Sequence, residues 1–134
     1  MATLAIVGLA AGAVMLTLPE TEPRLGDEAA RLAARLTAAR EEAVMTNRVV
    51  AIEADAAGYG ARVFDGRGWT PLIDGPFQAE TWQADTRMQG EAVRVAFDPT
   101  GVAEPATIAL SRDDAQVAVS VDGAGEVRIA SPKT

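Results

Sequence analysis

Residues 27–47 read DEAARLAARLTAAREEAVMTN and contain neither glycine nor proline. With Leu25 just before them, their apolar side chains recur at steps of four, three, four, three and four residues, which is the spacing of one face of an α-helix. This stripe consists of Leu25, Ala29, Leu32, Leu36, Ala39 and Ala43. Asp27 is a suitable N-cap, and Glu28 suits the first turn of a helix. The pattern predicts an amphipathic helix over 27–47 that docks on a core through Leu32 and Leu36. A coiled coil is less favoured, because three stripe positions are only alanine.

The preceding part of the chain is more apolar. Residues 1–18, MATLAIVGLAAGAVMLTL, carry no charge and are followed by Pro19. As a helix they would measure roughly 27 Å, close to the ~30 Å of a hydrocarbon core. This composition predicts a membrane or fibre-core helix over 1–18, with a head domain over 19–134. A cleaved signal is less favoured, since no basic residue precedes the run. A buried soluble helix would need more surrounding chain than 19–134 offers.

The packing residues of this first segment are predicted from their size and spacing. The pair Gly8 and Gly12 forms a G-x-x-x-G pattern, which allows close approach of a second helix, although two glycines in an alanine-rich run also fall four apart by chance. The candidate packing residues are Leu4, Ile6, Val7, Gly8, Leu9, Gly12, Val14 and Leu16.

From Val49 onward the apolar period changes from 3.6 to 2, which is typical of strands. Turn signals such as Asp65-Gly66 and Asp98-Pro99-Thr100-Gly101 separate the alternating runs. Pro71 confines the run after Trp69 to a sheet edge. Together these patterns predict an α+β fold in which the amphipathic helix covers one face of an antiparallel meander.

Residues 74–91 have no clear period and are predicted to form a loop. Their large apolar side chains are Phe77, Trp82 and Met88. These could form a partner surface, but a loop folded over the sheet is the favoured interpretation.

Composition excludes several chemistries. The 134 residues include 28 alanines and only 6 aromatic residues, so the core is expected to be aliphatic and modest. The absence of Cys and His excludes disulfides, Cys or His metal sites and histidine-dependent nucleophiles. The adjacent acids Glu41-Glu42 and Asp113-Asp114 are expected on a solvated helix face and in a turn, and Asp113-Asp114 is a weak candidate for Ca²⁺. We expect no enzymatic activity, cofactor, metal or small-molecule substrate.

Charge argues against nucleic acid as a partner. The chain has a net charge of −7, and the part after Val49 contains 13 acidic and 7 basic residues. Such a surface repels phosphate unless its arginines cluster. Arg62 and Arg67 are close in sequence, but scattered surface arginines are the favoured interpretation.

Several short sequences together resemble the pseudopilins and type IV pilins, and most closely the H-type minor pseudopilins of type II secretion. Leu4-Ala5-Ile6-Val7-Gly8-Leu9 is similar to the start of the pilin helix. The other similar sequences, in chain order, are LAARL at 32–36, AREEA at 39–43, FDPTG at 97–101 and VSVDGAG at 119–125. The family begins with a short basic leader, a glycine, an aromatic residue and then a glutamate, and residues 1–18 do not match this pattern. We therefore expect the natural chain to begin upstream of Met1.

The resemblance implies a structural subunit at the tip of a type II secretion pseudopilus, where it helps start assembly. The implied partners are other minor and major pseudopilins and the inner-membrane platform. The implied location is the bacterial inner membrane, crossed once, with a periplasmic C-terminal head. Two alternatives are a type IV minor pilin in pilus assembly or DNA uptake, and a generic membrane-anchored periplasmic binding domain.

Overall fold

The fold is described from a computed structural model, which covers residues 25–83 and 85–130. The predicted segment 1–18 lies outside the described residues, and so do its eight candidate packing residues. The division of the chain at residue 18 therefore stays a prediction.

The long helix α1 spans Leu25–Thr46, so the helix predicted over 27–47 is confirmed with a small shift of its ends. Asp27 and Glu28 lie in its first turn, where their charges complement the helix dipole. The N-cap predicted at Asp27 is wrong, because the helix already includes Leu25. The helix ends at Thr46, because the next residue, Asn47, has a left-handed φ of 58° that cannot continue an α-helix.

The first sheet is built from the strands that directly follow the helix. Its main path has the order β3-β2-β1-β6, and β4 pairs with the start of β2. All pairs are antiparallel. Pro71 lies in the edge strand β3, as predicted, where its missing N–H costs no ladder bond. The strands are β1 (Val49–Ala54), β2 (Gly58–Phe64), β3 (Trp69–Leu72), β4 (Glu80–Thr81) and β6 (Val93–Phe97).

A second antiparallel sheet contains the remaining strands in the order β5-β7-β8-β9. The α+β class and the helix-on-strands arrangement are confirmed. The strands do not form one continuous meander, however. The chain enters the second sheet at β5, returns to the first sheet at β6 and goes back to the second at β7. The strands of the second sheet are β5 (Arg87–Met88), β7 (Ala106–Arg112), β8 (Ala115–Val121) and β9 (Val127–Ala130).

The segment 74–91 is more ordered than a loop. It contains the 3-10 turn Gly75–Phe77 and the two short strands β4 and β5, one in each sheet. Phe77 and Trp82 are buried, and the Trp82 indole N–H donates to the Asp55 carbonyl at 2.7 Å. Met88 is half-buried against the same core. The folded-over interpretation of this segment is therefore confirmed for Phe77 and Trp82.

The core lies between α1 and the two sheets, which the helix contacts through β1 and β6 on one side and β7, β8 and β9 on the other. It is mostly aliphatic, as the composition predicts, with Phe97 as its largest fully buried side chain. Because α1 packs on both sheets, its buried stripe joins them in one core.

Candidate functional site

The apolar face of α1 is where the head is joined to its helix. Leu32 and Leu36 are both 0% exposed and belong to the same buried cluster as Ile52 of β1 and Val119 of β8. Burial of such side chains contributes about 1.5–3 kcal/mol each. The structure thus places both predicted docking residues in the core, and their role in docking stays a prediction that a substitution can test.

Charged side chains attach the segment after β3 to the N-terminal half of α1. Glu28 is only 2% exposed, and its Oε2 accepts the Gln83 amide at 2.7 Å. Arg35 donates to the Gln78 carbonyl at 2.7 Å and pairs with Glu80 at 3.4 Å. Its guanidinium lies 5.4 Å from the Tyr59 ring, and burial raises the pKa of that phenol. The positions of Glu28 and Arg35 in the helical pattern of the sequence did not predict these contacts.

A second arginine joins the C-terminal half of α1 to two turns. Arg40 Nε donates to the Gly101 carbonyl at 3.0 Å, and its Nη2 donates to the Ala124 carbonyl at 3.2 Å. Gly101 belongs to the turn after β6 and Ala124 to the turn between β8 and β9. One guanidinium therefore links the helix to a turn from each sheet, which its planar, forked set of donors suits.

The two turns have the same construction. In each, an aspartate carbonyl accepts the amide of a glycine three residues later, from Gly101 to Asp98 at 2.8 Å and from Gly125 to Asp122 at 2.9 Å. In each, the aspartate Oδ1 accepts the amide two residues later. Both glycines have a left-handed φ, 88° and 85°. The type I turn predicted at 98–101 is consistent with this geometry.

The turns also touch each other. A β-carbon built on Gly125 would lie 2.0 Å from the Gly101 carbonyl oxygen and 2.9 Å from Arg40 Nε. Real atoms cannot approach so closely, so only glycine fits at this position. The end of α1 and the two turns therefore form one tightly packed corner of the head.

The outer face of the first sheet carries an ion cluster. Glu53 accepts from Arg62 Nε at 3.0 Å and from Arg94 Nε at 2.7 Å. The Arg94 guanidinium also lies 4.6 Å from the centre of the Trp69 ring, a cation–π distance. Arg62 is thus paired with Glu53, whereas Arg67 lies exposed in the turn between β2 and β3. The structure does not join the Arg62 and Arg67 side chains in one contact.

A groove of about 380 Å³ runs beside β2, with Gly58 and Gly60 in its lining. Its carboxylates already have partners, since Glu53 is bound by two arginines and Glu80 by Arg35. Asp55 accepts the amides of its own turn. A ligand pocket normally presents several convergent polar groups, and these three carboxylates are already engaged within the head.

The acidic pairs noted in the sequence lie apart from one another. Asp113 and Asp114 are exposed in the turn between β7 and β8, where Asp113 has a φ of 54°. Glu41 is exposed and Glu42 half-buried on α1. Within residues 25–83 and 85–130, no three acidic side chains converge in a way that could hold a metal ion.

Three turn aspartates have carboxyl pKa values below the usual range. The Thr100 hydroxyl is the main cause at Asp98, the Arg67 amide at Asp65 and the Glu126 amide at Asp122. A carboxyl group whose pKa is lower in the folded state stabilises the fold at pH values above its unfolded pKa of ~3.9. This contribution is lost as the pH falls through the folded pKa.

We expect the thermal midpoint to be level between about pH 7 and 5 and to fall below about pH 4. Asp98→Asn should weaken this acid dependence, and a midpoint that rises on acidification would contradict the assignment.

These features define the class of protein. The described residues form a long helix whose apolar stripe is covered by antiparallel strands, and this arrangement is pilin-like. The solved minor pseudopilin EpsH of Vibrio cholerae has this architecture, with a TM-score of 0.68, 18% identity and coverage of 80% of this chain and 96% of that chain. The type IV minor pilin FimU of Pseudomonas aeruginosa is also similar, with a TM-score of 0.61, 21% identity and coverage of 82% and 93%.

The sequence identifies the family within this class. The family model for the type II transport protein GspH matches residues 28–125. The chain belongs to the GspH family and is a minor pseudopilin of the type II secretion system. As a member of a pseudopilin family it is a structural protein that assembles with other pseudopilins. No curated protein sequence matches the chain.

The membrane helix predicted over residues 1–18 precedes residues 28–125, which the family model matches. Over the described residues, no helix is long and apolar enough to cross a membrane. The eight packing residues predicted between Leu4 and Leu16 precede the described part of the chain, so their role stays a prediction.

Proposed function

We propose that this chain is a subunit at the tip of the type II secretion pseudopilus. It helps to start assembly of the pseudopilus, which exports proteins across the outer membrane. The observation that carries the proposal is the GspH match, which extends from α1 through both sheets to the turn after β8. The head is built around buried Leu32 and Leu36, and the three carboxylates of its groove are engaged within the head. These features suit a subunit that functions by packing against other subunits.

The proposal includes an inner-membrane anchor. Residues 1–18 are uncharged and about long enough, at roughly 27 Å as a helix, to insert in a bilayer. They would hold the head on the periplasmic side and pack, through residues such as Leu4, Val7 and Leu9, with other pseudopilins and beside the inner-membrane platform. No nucleic acid, cofactor or small-molecule substrate is part of this function.

The test is deletion of the gene in its own bacterium. We expect secreted proteins to accumulate in the periplasm, and the full chain supplied in trans to restore their release. A chain lacking residues 1–18 should fail to restore it. Alkaline extraction of membranes should leave the full chain in the pellet and release the shortened one.

The type IV pilin alternative rests on the similarity to FimU. It predicts a different result from the same deletion, namely loss of surface pili or of DNA uptake with secretion intact. Either of those results, without a secretion defect, would overturn the proposed function in favour of a pilus role.

A further inference from the structure

Exposed apolar side chains are concentrated at the end of α1. Val44 is 51% exposed, Met45 is 77% exposed and Val102, in the turn after β6, is 47% exposed. Val44 lies against that turn, since a β-carbon built on Gly101 would be 3.5 Å from its Cγ2. We name Val44, Met45 and Val102 the apolar corner. Single exposed apolar residues are common, but several together at one place indicate an interaction surface.

The apolar corner is shaped and held in place. Arg40, Glu41, Val44 and Met45 line a notch of about 220 Å³. Arg40 fixes the helix end to both turns by its bonds to the carbonyls of Gly101 and Ala124. A surface that is already ordered loses little conformational entropy on binding. The corner is therefore suited to receive an apolar side chain of a partner.

The direction of α1 indicates on which side of the head that partner lies. Residues 1–24 join α1 at Leu25, and Met45 lies twenty residues further on, about 30 Å along the helix axis. If residues 1–18 lie in the membrane or the fibre core, as the proposed function requires, the apolar corner is at the opposite end of the head. The neighbour expected at that end is the next subunit of the assembly.

Charge at the corner indicates the chemistry of the partner. The Arg40 guanidinium is engaged by two backbone carbonyls, whereas Glu41 beside it is exposed and has no ion pair with any residue of 25–83 or 85–130. An apolar side chain flanked by a lysine or arginine would match this arrangement. We infer that the apolar corner docks a different pilin-like subunit on the membrane-distal side, through such an apolar and basic pair. This inference rests on the proposed function.

Cross-linking in the assembled system tests the inference directly. The chain contains no cysteine, so Met45→Cys gives the full chain a single thiol. This thiol is labelled with maleimide-benzophenone and irradiated in cells that assemble the pseudopilus, and adducts are identified by mass spectrometry. The control is Ala57→Cys, which places the thiol in the exposed turn between β1 and β2.

We expect an adduct of Met45→Cys with another pilin-like subunit, several times more abundant than that of Ala57→Cys. Equal yields from the two positions would overturn the inference. So would adducts only with a second copy of this chain, or only with its own residues 1–24.

A functional measurement separates this inference from the proposed function. Met45→Asp and Val102→Asp should each lower secretion by about tenfold or more, because a charge would be buried at the contact. Their thermal midpoints should not change, since both side chains are exposed in the free head. The matched control is Ile73→Asp, which is 62% exposed but lies outside the corner. If Met45→Asp secretes as well as Ile73→Asp, the corner is not the contact, while restoration of secretion by the unsubstituted chain still supports the proposed function.

Discussion

Replacing Leu36 with aspartate should unfold the head. Leu36 is 0% exposed at the centre of the α1 stripe, where the helix meets both sheets. Truncation of a buried leucine alone costs about 2–5 kcal/mol, and an unpaired carboxylate at the same place adds a large desolvation cost. The sum is comparable with the ~5–15 kcal/mol total stability of a domain.

The measurement is a thermal melt of residues 19–134, the predicted head domain. The matched control is Ala34→Asp, which places the same charge on the exposed side of the same helix. We expect no cooperative transition for Leu36→Asp and a nearly unchanged one for Ala34→Asp. An unchanged melt of Leu36→Asp would show that the helix is not docked through this face.

Replacing Gly125 with alanine should strongly destabilise the corner of the head. Its β-carbon would lie 2.0 Å from the Gly101 carbonyl oxygen, and its φ of 85° is unfavourable for any residue with a β-carbon. Left-handed backbone costs about 1 kcal/mol for alanine and forced overpacking a further ~1–3 kcal/mol. We therefore expect a loss of about 2–4 kcal/mol in the free energy of unfolding.

The same turn supplies the control. Gly123 lies two residues earlier, and a β-carbon there would meet nothing within 4 Å. Gly123→Ala should change stability by no more than about 0.5 kcal/mol. Urea unfolding of the two variants compares them directly. If they behave alike, the two turns are not in the close contact described.

Local sequence patterns predicted the elements of this fold well. The helical stripe from Leu25 to Ala43 and the strand pattern from Val49 onward depend on neighbours a few residues away. The helix and the strands are confirmed, although the alternation in β1 is broken by Ala51, which is also buried. Signals such as Asp65-Gly66 and Asp98-Pro99 also act within four residues. Residues 74–91 gave no such signal, because their pairing in β4 and β5 involves only two residues each.

The contacts that assemble the head could not be predicted in this way. Arg40 is 61 residues from Gly101 and 84 from Ala124, and Glu28 is 55 from Gln83. In the sequence these residues fit an ordinary polar helix face. Their partners are known only once the strands are arranged in space.

The sequence by itself determined that a long amphipathic helix would be covered by antiparallel strands, and its short sequences pointed to the pseudopilins. These features follow from periodicity and turn chemistry, which are local. Only the tertiary structure showed that the strands form two sheets. It also showed that the turns at Gly101 and Gly125 lie together beside Arg40. The exposure of Val44, Met45 and Val102 at one corner is likewise known only from the fold. Those outcomes depend on which distant residues fill the same space, because close packing and the pairing of buried polar groups are properties of the whole fold.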